Sequence, residues 1–428
     1  MTIVACSTPP GVSGIAVVRI SGKGAIKNIS TFVKDSPFDD KTPLSRVCFL
    51  VDRDGEVFDE AVITSYVGPN SYTGENLVEI SCHGNPKIIS RIIDLSVDAG
   101  SRLAEAGEFT KTAFLNGKLD LSEAESVASI IHSLSLTGVK AGVKNLKGGL
   151  SKEIRSIKSS LISLVANLEF NLDISEEDLQ PNLLKQTRET VLRVAKKLND
   201  CIHCFEETKM FQSGASVVIL GPPNAGKSTL FNRLVNKNQS IVTSVEGTTR
   251  DVIEKNINIS GLPILLKDTA GIRDSGDDVE KIGVERSFVE AKDADLVVVL
   301  NDKSLSFGDT KHIHVFNKSD IKTPDEKYDI SISAKTGDGV KKLKETVYNS
   351  LVGNKVQTDT LIISKRQCNA IKGALKHIKE AHLLLLAGDS IELLIEDINR
   401  SIGFLDSITE KTTKDCLLYT SPSPRDQL

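Results

Sequence analysis

Several hydrophobic rhythms succeed one another along the chain. Through residues 1–116, short β-like runs at 15–20, 47–51, 60–66 and 77–81 alternate with turn-rich clusters such as VGPNSYTGEN and SCHGNP. That alternation predicts an α+β domain with a partly antiparallel sheet. From Ser122 the period lengthens. Leu146, Leu150, Ile154, Ile157, Leu161, Leu164 and Leu168 recur at three- and four-residue intervals, which predicts one long amphipathic helix. The acidic stretch DISEEDLQP ends it, and a second helical run carries Val191, Val194, Leu198, Ile202 and Phe205. After Gly214, apolar strands alternate with helices (SVVILG, NINI, PILLKD, DLVVVL, HIHVF, YDISIS), the signature of a parallel α/β sheet. Helical spacing returns near Arg366, through Ile371, Leu375, Ile378 and Leu383, then Ile391, Leu394, Ile398 and Leu405. An α/β domain inserted into a helical one is the simplest architecture.

Length and composition sharpen this picture. At 428 residues the chain exceeds one ordinary core and predicts two or three domains. With 39% hydrophobic and 26% charged residues it reads as globular and soluble, not disordered. No apolar run approaches the ~18 residues of a membrane span. The opening MTIVACSTPPG has neither a basic leader nor an apolar signal core, so a cytoplasmic location without membrane contact is expected. The cysteines, at 6, 48, 82, 201, 204, 368 and 416, are an odd, scattered set, unlike a disulfide framework. Cys201 and Cys204 form a CxxC on a helical pattern with no second pair, and read as structural. A net charge of −4 gives no global nucleic-acid signal, so any RNA must be held by a local patch.

Chemistry concentrates in the α/β stretch. SVVILGPPNAGKST sets G-x-x-x-x-G-K-S after an apolar strand and before the helical run TLFNRLV, the context a phosphate-binding loop requires. Gly221 and Gly226 let backbone amides close around phosphates, Lys227 neutralises the β and γ oxygens, and the Ser228 hydroxyl ligates Mg²⁺. LLKDTAG ends a strand at Asp268, placed to hold the Mg²⁺ shell, and Gly271 follows with an amide that can sense the γ-phosphate. Between them GTTRD offers Thr248 and Thr249 as switch residues, with Thr249 chosen for the metal. The NKSD that ends HIHVF, Asn317, Lys318, Ser319 and Asp320, sets base identity. Asp320 can accept from both the ring N–H and the exocyclic amine of guanine. Adenine offers no such pair, and leaving a built-in polar partner unmatched can cost ~10⁴-fold in discrimination. SAKTGDG supplies Ser333, Ala334 and Lys335 behind the base.

The nucleotide-contacting set is therefore Asn224, Ala225, Gly226, Lys227, Ser228 and Thr229; Thr243, Ser244, Val245, Glu246, Gly247, Thr248 and Thr249; Asp268, Thr269, Ala270 and Gly271; then the NKSD and SAK residues. Small regulatory GTPases follow the glycine of DTAG with a glutamine that orients water, but here that position is Ile272. Glu280, in DDVEKIGVER, is a candidate replacement and reads as readily as a solvated helix start. Asn224 is either a turn residue or an oxygen ligand for a monovalent cation.

Three blocks outside these motifs are more specific than any phosphate loop: TIVACSTPPGVSGIAVVRISG, PNSYTGENLVEISCHGNP and AGEFTKTAFLNGKLDLSEAE. Together with the GTP motifs and flanking helices they resemble the MnmE (TrmE) family of tRNA-modification GTPases over roughly residues 1–415. The resemblance implies an N-terminal folate-binding and dimerisation domain at 1–117. A helical domain in two segments, 118–212 and 357–415, would hold an inserted P-loop GTPase domain at 213–356 with a mainly parallel sheet. It implies potassium-dependent GTP hydrolysis that acts with an FAD-dependent partner, MnmG, to install a 5-carboxymethylaminomethyl-type group on the tRNA wobble uridine. The one-carbon donor would be a 5-formyltetrahydrofolate-type folate. Residue by residue it puts Arg19, Glu79 and Lys118 at the folate site, types suited to a pterin edge and a glutamate tail, though each read alone is a surface charge. It makes Asn224 a K⁺ ligand with Thr243, Val245 and Thr248, the ion standing where other GTPases use an arginine finger. Glu280 becomes the water-orienting residue. A constitutive homodimer and GTP-driven pairing of GTPase domains are further family properties. For tRNA, Lys140, Lys144 and Lys147 lie at i, i+4, i+7 on a predicted helix and can meet phosphates, although a solvated face is the better reading of such a stripe.

The family pattern holds as far as LDSITEKTTKD. The family closes on Cys-x-Gly-Lys, whereas residues 416–428 read CLLYTSPSPRDQL, with two Ser-Pro steps and no helical period. A truncated frame joined to foreign sequence is expected there, with a genuine variant tail as the alternative, and the chain as written is expected to hydrolyse GTP in potassium but not to modify tRNA with MnmG. Two other functions compete: a regulatory or ribosome-assembly GTPase switch without modification chemistry, and a folate-dependent transferase that uses GTP only for regulation. The first predicts no folate binding.

Overall fold

The computed structural model describes residues 1–172, 181–236, 253–268, 289–308, 310–324, 327–353, 364–388 and 390–409. In chain order the elements begin β1 (Ile3–Cys6), β2 (Ser13–Ser21), α1 (Ala25–Ile29), β3 (Leu44–Val51), β4 (Val57–Tyr66), β5 (Leu77–Gly84), α2 (Pro86–Asp98), β6 (Arg102–Leu103) and α3 (Glu108–Leu115). Helices α4 (Leu121–His132), α5 (Leu136–Leu146), α6 (Gly149–Leu172) and α7 (Pro181–Ser213) follow. Then come β7 (Ala215–Leu220), α8 (Lys227–Asn236), β8 (Ile253–Ile259), β9 (Leu262–Asp268), β10 (Leu296–Leu300), β11 (His312–Asn317) and β12 (Ile330–Ile332). Helices α9 (Val340–Val352), α10 (Lys365–Ala387) and α11 (Ile391–Thr409) complete the order. The chain divides into two compact units: Met1–Ala128 with Asn145–Ala195 and Asn369–Leu428, and Ser129–Lys144 with Lys196–Cys368.

In the first unit a six-stranded sheet has the order β3-β4-β5-β2-β1-β6. Every neighbouring pair is antiparallel except β1 and β6. Alternate residues such as Val18, Ile20, Ile63 and Ile80 point into a core closed by Phe32 and Ile92. The expected turn at SCHGNP is a strand end followed by a helix start. Ser81 to Gly84 finish β5, and Asn85 Oδ1 accepts from the Lys87 N–H at 2.9 Å, capping α2 with Pro86 at its first position.

The helix expected to run unbroken from Leu146 is interrupted. Gly148 takes the left-handed backbone at φ 78°, so Leu146 closes α5 and the apolar ridge of Leu150, Ile154, Ile157, Leu161 and Leu168 belongs to α6. Lys147 consequently sits in the turn and leaves the lysine stripe, of which Lys140 and Lys144 stay on α5. The ridge packs along α11, whose Leu394, Ile398, Leu405 and Ile408 are buried, and Lys158 pairs with Asp406 between the two helices.

The second unit's sheet runs β12-β11-β10-β7-β9-β8. Its pairs are parallel except the edge pair β8–β9, so the NINI strand departs from the parallel pattern. The cause is local. Ser260 and Gly261 turn between the two strands with φ 53° and 87°, a tight hairpin that leaves no length for a parallel crossover. Val217, Ile219 and Val298 pack under α8 and α9, while Val218, Val297 and Val299 face Ala291, Ala294 and Phe307. Apolar residues on both faces explain why these strands read as continuous hydrophobic runs. Among the described residues no helix is long and apolar enough to cross a membrane.

Candidate active site

The five parallel strands of the second unit end on one edge, and the phosphate and base motifs with described backbone lie along it. Gly221 follows β7, Asp268 ends β9, Asn317 ends β11, and Ser333 follows β12. In the register of β7 with β9, Asp268 stands opposite Ile219, which brings its backbone beside the start of the phosphate loop.

The loop's shape depends on its glycines. Gly221 has φ 151° and lies so close to the Leu300 carbonyl that a Cβ would collide with it. Gly226 has φ 90°, and a Cβ there would overlap the Asn317 amide. Asn224 adopts a left-handed φ of 60° and, like Ser228 and Thr229, is not buried. Ala225 is buried beneath them. Lys227 opens α8 and donates from Nζ to the carbonyls of Gly221 at 2.8 Å and Pro222 at 3.0 Å, which holds its ammonium across the loop mouth. The first amides of α8 carry the positive end of the helix dipole to the same place.

Asn317 is the strut of the site. Its side chain is buried; Nδ2 donates to the Ala225 carbonyl at 2.7 Å and Oδ1 accepts from the Ala334 N–H at 2.9 Å. One amide thereby fixes the phosphate loop, the base-reading turn and the SAK loop to one another. Its backbone N–H donates to Oδ1 of Asn301 at 2.6 Å. Lys318, at φ 72°, turns the chain so that Ser319 and Asp320 are exposed, and the Ser319 N–H returns to the Ile332 carbonyl at 3.1 Å. The SAK loop is held from within and from α8. Ser333 Oγ accepts from the Thr336 N–H at 3.1 Å, and Arg233 of α8 donates to the carbonyls of Lys335 and Thr336. Asn301 and Arg233 belong to no short motif; their contacts span 16 and about a hundred positions, so sequence spacing carries no signal for them.

In the first unit, Arg19 on β2 and Glu79 on β5 are direct cross-strand neighbours. Arg19 donates from Nε at 3.0 Å and from a terminal nitrogen at 2.6 Å to the same Glu79 Oε1, both side chains about a quarter exposed. The guanidinium carbon lies 5.3 Å from the Tyr72 ring centroid and 5.5 Å from that of Phe109. Both aromatics lie in the specific blocks PNSYTGENLVEISCHGNP and AGEFTKTAFLNGKLDLSEAE, but nothing in their spacing assigns them this role. Lys118 Nζ donates to the Pro69 carbonyl at 3.0 Å, in the loop that also carries Tyr72. That loop is anchored by Asn116 Nδ2 on the Thr73 carbonyl at 2.7 Å and by the buried Ser21–Thr73 hydroxyl pair at 2.7 Å. The three expected folate residues thus border one loop. Thr243, Ser244, Val245, Glu246, Gly247, Thr248, Thr249, Thr269, Ala270, Gly271 and Glu280 lie outside the described residues, as does the 416–428 tail.

Comparison with known proteins extends the likeness well beyond these motifs. The family described as GTP-binding protein TrmE N-terminus matches residues 2–118, and that described as MnmE helical domain matches 121–420. The tRNA modification GTPase MnmE of Aquifex aeolicus (strain VF5) is 38% identical over 434 residues, covering 97% of each chain. Its namesake in Thermotoga petrophila is 35% identical over 446 residues, covering 98% of each. Among solved structures, the G domain of the T. maritima FeoB iron transporter is similar at 24% identity and a TM-score of 0.24, over 32% of this chain and 98% of that one. Since the likeness to the curated relatives takes in the N-terminal sheet, the split helices and the nucleotide loops alike, the chain belongs to the MnmE (TrmE) family of tRNA modification GTPases.

Proposed function

We propose that this chain couples potassium-dependent GTP hydrolysis to formation of a 5-carboxymethylaminomethyl-type uridine at the tRNA wobble position, working with MnmG as a cytoplasmic homodimer. The observation that carries the GTP half is the Asn317 strut, because it ties the phosphate loop to the turn that presents Asp320. A rigid link of this kind supports reading phosphate and base together. For Mg²⁺ the hydroxyl of Ser228 and the carboxylate type at Asp268 supply hard oxygen donors, which suit that ion. With Thr249 they would hold it against the phosphates, where it neutralises developing charge. Asn224, in a left-handed turn of the loop, offers an amide oxygen to potassium with the carbonyls of Thr243, Val245 and Thr248. Glu280 orients the attacking water.

The folate half rests on Arg19, Glu79 and Lys118. Both Arg19 contacts fall on one oxygen of Glu79, so the carboxylate keeps a second oxygen to accept from a pterin-type N–H edge. Tyr72 and Phe109 offer ring faces for a flat heterocycle beside it. Lys118 suits the carboxylates of a folate tail. In this reading residues 1–117 bind folate and dimerise, 118–212 and 357–415 form the helical domain, and 213–356 hydrolyse GTP.

Equilibrium binding of 5-formyltetrahydrofolate to the full chain tests the reading, together with nucleoside analysis of tRNA after incubation with MnmG and GTP. Saturable binding that is lost in Arg19→Ala is expected; the chain as written is expected to hydrolyse GTP without modifying tRNA, and a modified wobble nucleoside is expected once residues 416–428 are replaced by a family-type Cys-x-Gly-Lys tail. A chain that hydrolyses GTP but binds no folate would instead be a regulatory switch.

A further inference from the structure

Away from the nucleotide loops, two helices bring together one imidazole and two carboxylates. His377 and Glu380 stand one turn apart on α10, and Asp397 meets them from α11. His377 Nδ1 lies 2.9 Å from Asp397 Oδ1 and 3.0 Å from Glu380 Oε2, and the three donor atoms are all within 4.8 Å of one another. The side chains of His377 and Asp397 are 14% and 15% exposed, while Glu380 at 40% forms the open side. The imidazole is held in place. Its ring stacks on Phe404 with centroids 5.7 Å apart, and Phe404 fits because Gly373, one turn earlier on α10, has no Cβ to come within 2.6 Å of it.

A ring nitrogen carries at most one proton, and it serves one acceptor well. Here two carboxylate oxygens converge on the same Nδ1. Even a protonated imidazole leaves the trio at a net charge of −1. Lys376 comes only within 3.8 Å of the other Glu380 oxygen and is 71% exposed, where an ion pair contributes little. A dication bound to neutral imidazole and two carboxylates would make the trio neutral. Across a tetrahedral ion with ligand bonds of ~2.0–2.1 Å, donor atoms stand ~3.3 Å apart. The observed 2.9 and 3.0 Å therefore need to open slightly, while the two carboxylate oxygens, within 4.8 Å of each other, settle to the same spacing. Imidazole with carboxylate at i, i+3 on one helix, completed from a facing helix, is also how helical bundles build metal sites.

We propose that His377, Glu380 and Asp397 bind one transition-metal dication of the Zn²⁺ type through Nδ1 and two carboxylate oxygens, and that the ion ties α10 to α11. The mixed nitrogen and oxygen donor set favours such an ion over Mg²⁺ or Ca²⁺.

The seven cysteines of the chain are a competing destination for zinc, so Co²⁺ is the better probe. Chelator-stripped full-length protein, titrated with Co²⁺, should take up one equivalent with visible d–d bands, no near-ultraviolet thiolate band, and full displacement by Zn²⁺. His377→Gln and Asp397→Asn should each weaken uptake more than about tenfold, with the far-ultraviolet circular dichroism and GTP hydrolysis unchanged. If either variant fails to fold, Glu380→Gln at the open side is read in its place and should weaken uptake several-fold. No bound equivalent, a thiolate band, or undiminished uptake in the folded variants would overturn the proposal.

Discussion

Asn317 shows how one residue can matter more as a strut than as a reader. Removing its amide strands the Ala225 carbonyl and the Ala334 N–H, each a buried group that costs about 1–3 kcal/mol when unpaired. Asn317→Ala should therefore weaken GTP binding by about 2 kcal/mol or more, ~30-fold in Kd, as measured by nucleotide titration. Gly226→Ala should act through the same contact, since its new Cβ would overlap the Asn317 amide. The two changes should then be strongly non-additive in a double-mutant cycle; full additivity would mean that the clamp is not the shared element. At this scale the sequence was legible wherever a motif is contiguous: GPPNAGKS, NKSD and SAK all lie on one sheet edge. It was silent on Asn301, Arg233, Tyr72 and Phe109, whose roles arise only when distant strands are laid side by side.

Among the elements, periodicity located the strands and helices but not their interruptions. The three- and four-residue spacing of leucines and isoleucines passes through Gly148 without a gap, because Leu146 at the end of α5 and Leu150 on α6 stand four apart, although α5 itself exposes Leu136 and Val143 and only α6 buries a ridge. Only the glycine's backbone separates them. The composition of the NINI strand suggests a parallel neighbour and cannot show that a two-residue hairpin precedes β9. The start of α3 carries a testable charge pair. Burial works to raise the Glu108 carboxyl, but the Arg102 fork and the Glu105 N–H outweigh it and hold the group below its ordinary value. A depressed folded pKa means that the unfolded chain binds the proton more readily, so the pair's contribution is complete above the unfolded value and fades as pH falls through the folded one. Glu108→Gln should lower the melting temperature at neutral pH, and the gap to the wild type should close in acid. A gap that persists unchanged below the carboxylate range would refute that assignment.

The whole molecule joins two compact units whose chemistry is legible to different degrees. The GTP motifs announce themselves by spacing, whereas the residues proposed for folate emerge only through likeness to a family, since an arginine, a glutamate and a lysine have no local grammar. If Asn224 and its neighbours select potassium, hydrolysis should run much faster in K⁺ than in Na⁺. Glu280→Ala should then slow turnover with little change in nucleotide affinity, as for a group that acts in the transition state. Equal rates in both salts would remove the potassium assignment and leave the fold untouched.

In the proposed function, guanine reading at Asp320 drives the tRNA chemistry of the same molecule. Asp320→Asn exchanges the acceptor that guanine needs for a donor that xanthine can use, so the variant should prefer xanthosine triphosphate. The decisive measurement is wobble-uridine modification by the Asp320→Asn chain, its residues 416–428 replaced by a family-type Cys-x-Gly-Lys tail, with MnmG, tRNA and either nucleotide. Product is expected with xanthosine triphosphate and little with GTP, in step with hydrolysis. Modification that proceeds equally with either nucleotide, or with neither present, would contradict it.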